Sequence, residues 1–168
     1  DSKPGDNVVL VLSTGAGKSL VIAELCHRLD QPVLVLQPSV EILKQNYAKL
    51  ESYGITDIGL YSASANSKTI GRYTFATIQS IYKKPELFSH YKMVIVDECQ
   101  SVPEKALGGM YAKFFNAIGN PKVIGLTATP FRVAQFYYKE GGEVFYTATT
   151  KMLTRVEHKP FFKRVIPI

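Results

Sequence analysis

Residues 13–19 read Ser-Thr-Gly-Ala-Gly-Lys-Ser and follow the apolar run Val8-Val9-Leu10-Val11-Leu12. A strand that ends in a Gly-rich turn closed by Lys-Ser is a cradle for phosphate. Gly15 and Gly17 let the backbone curl until several N–H groups point at one spot, and a helix starting near Lys18 adds its positive end there. Lys18 supplies a mobile charge for the β- and γ-phosphates of a nucleoside triphosphate, and the Ser19 hydroxyl is placed to ligate Mg²⁺. Leu12 stands where this motif carries its first glycine. A second chemical element is Val94-Ile95-Val96-Asp97-Glu98, an apolar strand with an acidic pair at its C-terminal end, the edge where open α/β sheets bind ligands. Asp97 is expected to hold the metal, and Glu98 to orient or deprotonate an attacking water. Alone the pair reads equally well as a solvated strand end; downstream of a phosphate loop it points to triphosphate hydrolysis. The third element is Gly125-Leu126-Thr127-Ala128-Thr129-Pro130. Its two threonines, at i and i+2, lie on one side of an extended segment, where their hydroxyls can meet Gln100 or Glu98.

The elements that must position these groups follow from the apolar pattern. With 168 residues, 46% hydrophobic and 20% charged, the chain has room for one α/β domain with a real core. Buried strands are expected at Val8–Leu12, Val33–Leu36, Ile58–Tyr61, Tyr73–Thr77, Met93–Val96 and Val123–Thr127. Helices are expected at Lys18–Leu29, at Val40–Tyr53 with Ser39 as N-cap, around Gln79–Tyr82, and at Glu104–Ile118 after Pro103. Alternation of this kind calls for a mostly parallel sheet with helices on both faces. Ser62–Lys68 reads as a polar loop, Gly141-Gly142 as a turn and Glu143–Thr149 as a β-prone strand; Phe161–Ile168 reads as a linker or strand leading elsewhere.

Charge and cysteine usage narrow the class less. The net charge is +6, and residues 131–168 hold seven Lys/Arg against three Glu. Such a stretch, interleaved with Phe136, Tyr137, Tyr138, Phe145, Tyr146, Phe161 and Phe162, suits either a nucleic-acid-contacting hairpin or a β-extension packing on another domain. No apolar run approaches membrane length, and Cys26 and Cys99 lack metal spacing, so the expectation is a cytoplasmic protein with reduced thiols and no membrane partner. His27, His90 and His158 are scattered and suggest no metal site.

In order and spacing these segments resemble the first RecA-like motor domain of superfamily 2 helicases and translocases. STGAGKS (13–19) resembles motif I, LQPS (36–39) motif Ia, TFATIQS (74–80) the Ib/Ic region, VDECQ (96–100) motif II and LTATP (126–130) motif III. The detailed wording is most similar to the DNA-directed branch that includes UvsW-type and XPB-type helicases and the type I restriction motor subunits. The resemblance implies a three-layer α/β, RecA-like P-loop NTPase fold over residues 1–132. Residues 133–168 would form a basic β-prone extension leading toward a second RecA-like domain. It implies ATP phosphates on Thr14, Gly15, Ala16, Gly17 and Lys18, Mg²⁺ on Ser19 and Asp97, and catalysis by Lys18, Glu98 and Gln100. Gln100, Thr127 and Thr129 would couple hydrolysis to nucleic-acid grip, and Pro38, Ser39, Thr77 and Gln79 would touch the sugar–phosphate backbone of the tracked strand. The fourth residue of motif II is usually His or Asp in this family and is Gln100 here. An amide can still bridge to Thr127 or Thr129. The resulting expectation is an ATP-dependent DNA helicase or translocase, with an RNA helicase or a nucleotide-dependent nucleic-acid sensor as alternatives. A small-molecule P-loop kinase is disfavoured by the threonine pair and by TFATIQS.

Overall fold

The structure, a computed structural model, describes residues 7–13, 17–102, 109–129, 131–140, 143–152 and 164–167. Along the chain run β1 (Val8–Val11), α1 (Lys18–Leu29), β2 (Val33–Leu36), α2 (Val40–Ser52), β3 (Ile58–Ser62), β4 (Ser67–Lys68) and β5 (Tyr73–Ala76). They are followed by α3 (Ile78–Ile81), β6 (Met93–Val96), α4 (Met110–Ala117), β7 (Lys122–Thr127), β8 (Phe131–Glu140), β9 (Glu143–Met152) and β10 (Arg164–Pro167). Eight strands form one sheet in the order β10-β1-β7-β6-β2-β5-β3-β4, and β8 and β9 pair separately. Within the large sheet only the β3–β4 pair is antiparallel.

The expected three-layer, mostly parallel α/β fold is therefore the observed one. Strands such as Val33-Leu34-Val35-Leu36 are apolar throughout because both of their faces are covered. Val33 and Val35 enter one core with Ile22, Ala23 and Cys26 of α1 and Leu43 and Leu50 of α2. Leu34 and Leu36 enter the opposite core with Tyr111, Phe114, Phe115 and Ile118 from α4 and its end. Each fully buried side chain of this kind contributes about 1.5–3 kcal/mol relative to exposure, so both layers help hold the sheet between its helices.

The backbone ladder runs on past the strands, and this sets the functional edge. Leu12 N–H donates to Thr127 O, Asp97 N–H to Leu36 O and Gln37 N–H to Ala76 O, each at 2.9 Å. The residues that follow β1, β7, β6, β2 and β5 are thereby lined up along one rim.

Several expectations change. Ser62–Lys68 is not simply a loop: Ser67–Lys68 turns back as β4 against Tyr61 and Ser62, with Thr69 Oγ1 accepting from Leu60 N–H at 2.9 Å. A two-residue polar strand gives no apolar pattern to read. The helix expected at Glu104–Ile118 is described only as Met110–Ala117; its first part, with Pro103, lies outside the described residues. Phe131–Glu140 is a strand antiparallel to Glu143–Met152. Arg164–Pro167 returns to the large sheet beside β1, Val165 opposite Val9. Thr14, Gly15, Ala16, Pro130, Phe161 and Phe162 lie outside the described residues.

Candidate functional site

Gly17 opens the site. It sits at φ 72°, ψ 48°, left-handed backbone that glycine adopts without a Cβ penalty, and its carbonyl accepts from Leu20 and Val21 N–H. The helix α1 thus begins at Lys18, at the positive end of its dipole. Lys18 Nζ forms an ion pair with Glu98 Oε1 and lies 3.9 Å from Asp97 Oδ1. The first turn of α1 and the end of β6 are therefore tied together by the residues that the sequence singled out.

Asp97 is almost fully buried. Its Oδ1 accepts from Glu98 N–H at 2.9 Å, and its Oδ2 accepts from Asn46 Nδ2 at 3.4 Å. Burial pushes its carboxyl above the usual carboxylate range, opposed by the Lys18 charge and the Asn46 hydrogen bond. Ser19 Oγ donates to Asn46 Oδ1 at 2.6 Å, so one amide holds both expected metal ligands. Asn46 is a site residue that the sequence reading missed. Its signal was available: in α2 it falls on the buried stripe with Leu43 and Leu50, where an apolar residue is expected.

Glu98 adopts φ 48°, ψ 45°, a left-handed conformation that costs a non-glycine residue about 1–2 kcal/mol. The turn faces its carboxylate toward Lys18 on one side and toward Gln100 on the other. Gln100 Nε2 donates to Glu98 Oε2 at 2.7 Å, and Thr127 Oγ1 donates to Gln100 Oε1 at 2.5 Å. Thr127 Oγ1 in turn accepts from Thr129 N–H at 2.9 Å. The amide at position 100 bridges the acid to the end of β7, as its two-sided chemistry allows; Thr129 takes part through its backbone.

Pro38, Ser39, Thr77 and Gln79 lie on the same rim, after the neighbouring strands β2 and β5. Pro38 and Gln79 are exposed. Ser39 Oγ accepts from Ile42 N–H at 3.4 Å and caps α2, while buried Thr77 pairs its hydroxyl with Ser80 Oγ at 2.9 Å. Pro38 and Ser39 follow β2, the neighbour of β6, whereas Thr77 and Gln79 follow β5, one strand farther along the sheet.

Among the described residues no group of three or more His, Cys, Asp and Glu gathers to hold a metal. The hard oxygen donors Ser19 and Asp97, held on one amide, instead fit Mg²⁺ of the kind that takes few protein ligands and completes its shell with phosphate oxygens and water. Also among the described residues, no helix is long and apolar enough to cross a membrane.

Comparison with known proteins shows the family and the fold. Residues 2–132 match the family model described as the type III restriction enzyme, res subunit. The chain is 27% identical over 125 residues to the DNA 3'-5' translocase XPB2 of Sulfurisphaera tokodaii, covering 74% of this chain and 27% of that protein. It is also 27% identical over 128 residues to a protein of Acanthamoeba polyphaga mimivirus named "Putative ATP-dependent RNA helicase L538", covering 76% of this chain and 26% of that one. The chain thus spans about a quarter of the length of either relative. Among solved structures, the UvsW helicase of bacteriophage T4 superposes with a TM-score of 0.65 at 17% identity, over 96% of this chain and 54% of that one. A DEAD box protein of Methanococcus jannaschii superposes at 0.60 and 19% identity, over 74% and 39%.

Proposed function

The chain belongs to the family of the type III restriction enzyme res subunit, as a superfamily 2 RecA-like helicase domain, and from that premise we propose that it couples ATP hydrolysis to movement along DNA. The observation that carries the reading is the joining of Lys18, Asp97 and Glu98 at the end of β6, with Gln100 tying Glu98 to Thr127. Lys18, with Thr14–Gly17, would bind the triphosphate, whose higher charge draws the ammonium from Glu98. Glu98, still held by Gln100, then orients the attacking water and accepts its proton. The water oxygen bonds to the γ-phosphorus as the bond to the β–γ bridging oxygen breaks, giving ADP and inorganic phosphate. Ser19 and Asp97 would hold Mg²⁺, which when bound supplies neutralising charge for the phosphate oxygens.

The tracked strand would cross the rim at Pro38, Ser39, Thr77 and Gln79, with contacts to sugar and phosphate that position it without reading sequence. In a motor of this class a second RecA-like domain completes the site, and closure of the two over nucleotide drives the step. DNA is favoured by the restriction-enzyme family and the translocase relative. RNA is the second reading, favoured by the name of the mimivirus relative.

ATP hydrolysis by the protein carrying this chain, with single-stranded DNA, double-stranded DNA and RNA, tests the proposal. Stimulation by DNA that vanishes in Lys18→Ala is the expected result. Stimulation by RNA alone moves the assignment to an RNA motor, and hydrolysis indifferent to every nucleic acid overturns the motor reading.

A further inference from the structure

We infer that Asn46 is the positioning residue of the metal site: its amide sets the spacing of Ser19 and Asp97, so that the affinity for the divalent ion depends on a residue of α2. The inference rests on the proposed nucleotide site and adds a residue that no sequence motif marks.

The geometry is specific. Ser19 lies in the first turn of α1 and Asp97 after β6, on elements that are not adjacent in sequence. Asn46 Oδ1 accepts from Ser19 Oγ at 2.6 Å and Asn46 Nδ2 donates to Asp97 Oδ2 at 3.4 Å. Both ends of one planar amide are engaged: its oxygen accepts from the Ser19 hydroxyl and its nitrogen donates to the Asp97 carboxylate. A leucine here would fit the stripe of Leu43 and Leu50, yet the position is polar and 7% exposed. A buried amide on an apolar stripe is costly unless it is paired, and here its two pairings are the two expected ligands. Partners of this kind orient ligands and tune the metal.

The placement also ties the metal site to the nucleic-acid rim. Ser39 caps the helix that carries Asn46 two turns later, on the same side of the helix, so a shift of α2 at its N-terminus carries the mid-helix amide with it.

The test is Mn²⁺ binding in the presence of ADP, followed by electron paramagnetic resonance, which needs no turnover. In Asn46→Ala the Mn²⁺ dissociation constant should rise by about 10–100-fold. Affinity for metal-free ADP should stay at the wild-type value. Asn46→Gln, which keeps the amide but carries it one methylene farther, should also weaken Mn²⁺ binding while retaining the melting temperature better than Ala. Unchanged Mn²⁺ affinity in either folded variant overturns the inference, as does equal weakening of metal-bound and metal-free ADP. Wild-type protein that binds no nucleotide at all would instead count against the underlying nucleotide-site reading.

Discussion

Two hydrogen-bonded bridges flank the Asp97–Glu98 turn, and they reach into different parts of the sheet. On one side Asn46 joins Ser19 to Asp97, linking α1, α2 and the end of β6. On the other Gln100 joins Glu98 to Thr127, linking the same turn to the end of β7. The first bridge closes on groups suited to a cation, and its central amide is buried. The second closes on the acid suited to a water, and its central amide is only half-buried. Consecutive residues thus take part in two bridges, while both carboxylates also face Lys18. On the proposed reading holding and coupling are separate: one bridge would shape what is bound, and the other would carry the state of the acid to another strand.

The sharpest way to break this division is to remove the acid of the second bridge. Glu98→Gln keeps a side chain of the same size and leaves the Asn46 bridge untouched. We expect kcat to fall by about 10²–10⁴-fold while ATP binding persists, measured by single-turnover hydrolysis beside equilibrium nucleotide binding. A parallel loss of binding and turnover would mean that the two bridges act as one unit.

Next in size are changes in the second bridge itself. Gln100→Ala removes a hydrogen bond to a carboxylate, worth about 1.5–3 kcal/mol, and Thr127→Val a neutral one of about 0.5–1.5 kcal/mol. Nucleic-acid stimulation of hydrolysis should weaken in both, and the double variant should be little worse than Gln100→Ala alone, because both act through the same amide. Additive losses in that double-mutant cycle would show that Thr127 acts by another route. Nucleotide affinity should stay level throughout, since Asn46 and Lys18 are untouched.

A substitution away from both bridges supplies the contrast. A Cβ on Gly59, near the start of β3, would lie 2.5 Å from Gly71 N and 2.7 Å from Thr69 O. Two backbone segments pass too closely there for any side chain. Gly59→Ala should cost about 1–3 kcal/mol of stability by chemical denaturation, with turnover per folded molecule unchanged. A loss of turnover in the folded fraction would extend the site beyond its rim.

How much of this was legible in the residues depends on whether the signal was local. The bounds of Val33–Leu36 and Met93–Val96 could be read because each is an apolar run with a polar stop. The cap at Ser39 was equally plain, as was the placing of Lys18 and the acidic pair at one site, since β1 and β6 must end on the same rim of a parallel sheet; the ion pair between them was not read. Asn46 was missed because a helical pattern is read by its apolar members, and a single polar residue on the stripe is easily passed over. The addition of β10 beside β1 was not legible either: Arg164–Pro167 has no pattern that names its partner strand, and that choice is made by the free edge of β1. The roles of Thr14, Gly15 and Ala16 remain expectations from the motif, and these residues lie outside the described ones.

The smallest effect asks whether the two faces behind the bridges melt together. Cys26 lies in the core under α1, while Tyr91 and Tyr111 lie in the core on the opposite face. Burial pushes the Cys26 thiol up to about 12 from 9.0, and each of the two phenols up to about 12 from 10.0. In all three the folded state favours the neutral, protonated form. Their stabilising contribution is therefore fully present below the unfolded values, near pH 9–10, and is lost as pH rises toward 12. The denaturation midpoint should fall across that window, and Tyr111→Phe should flatten the fall by something on the order of 1 kcal/mol, because phenylalanine has no proton to lose. Thiol labelling at Cys26, mapped by mass spectrometry, and phenolate absorbance should rise at the same pH if the sheet and both helical layers form one cooperative unit. Separate midpoints would mean that the α1–α2 layer, with its metal-side bridge, can loosen while the α4 layer holds. The two bridges would then differ in stability as well as in chemistry.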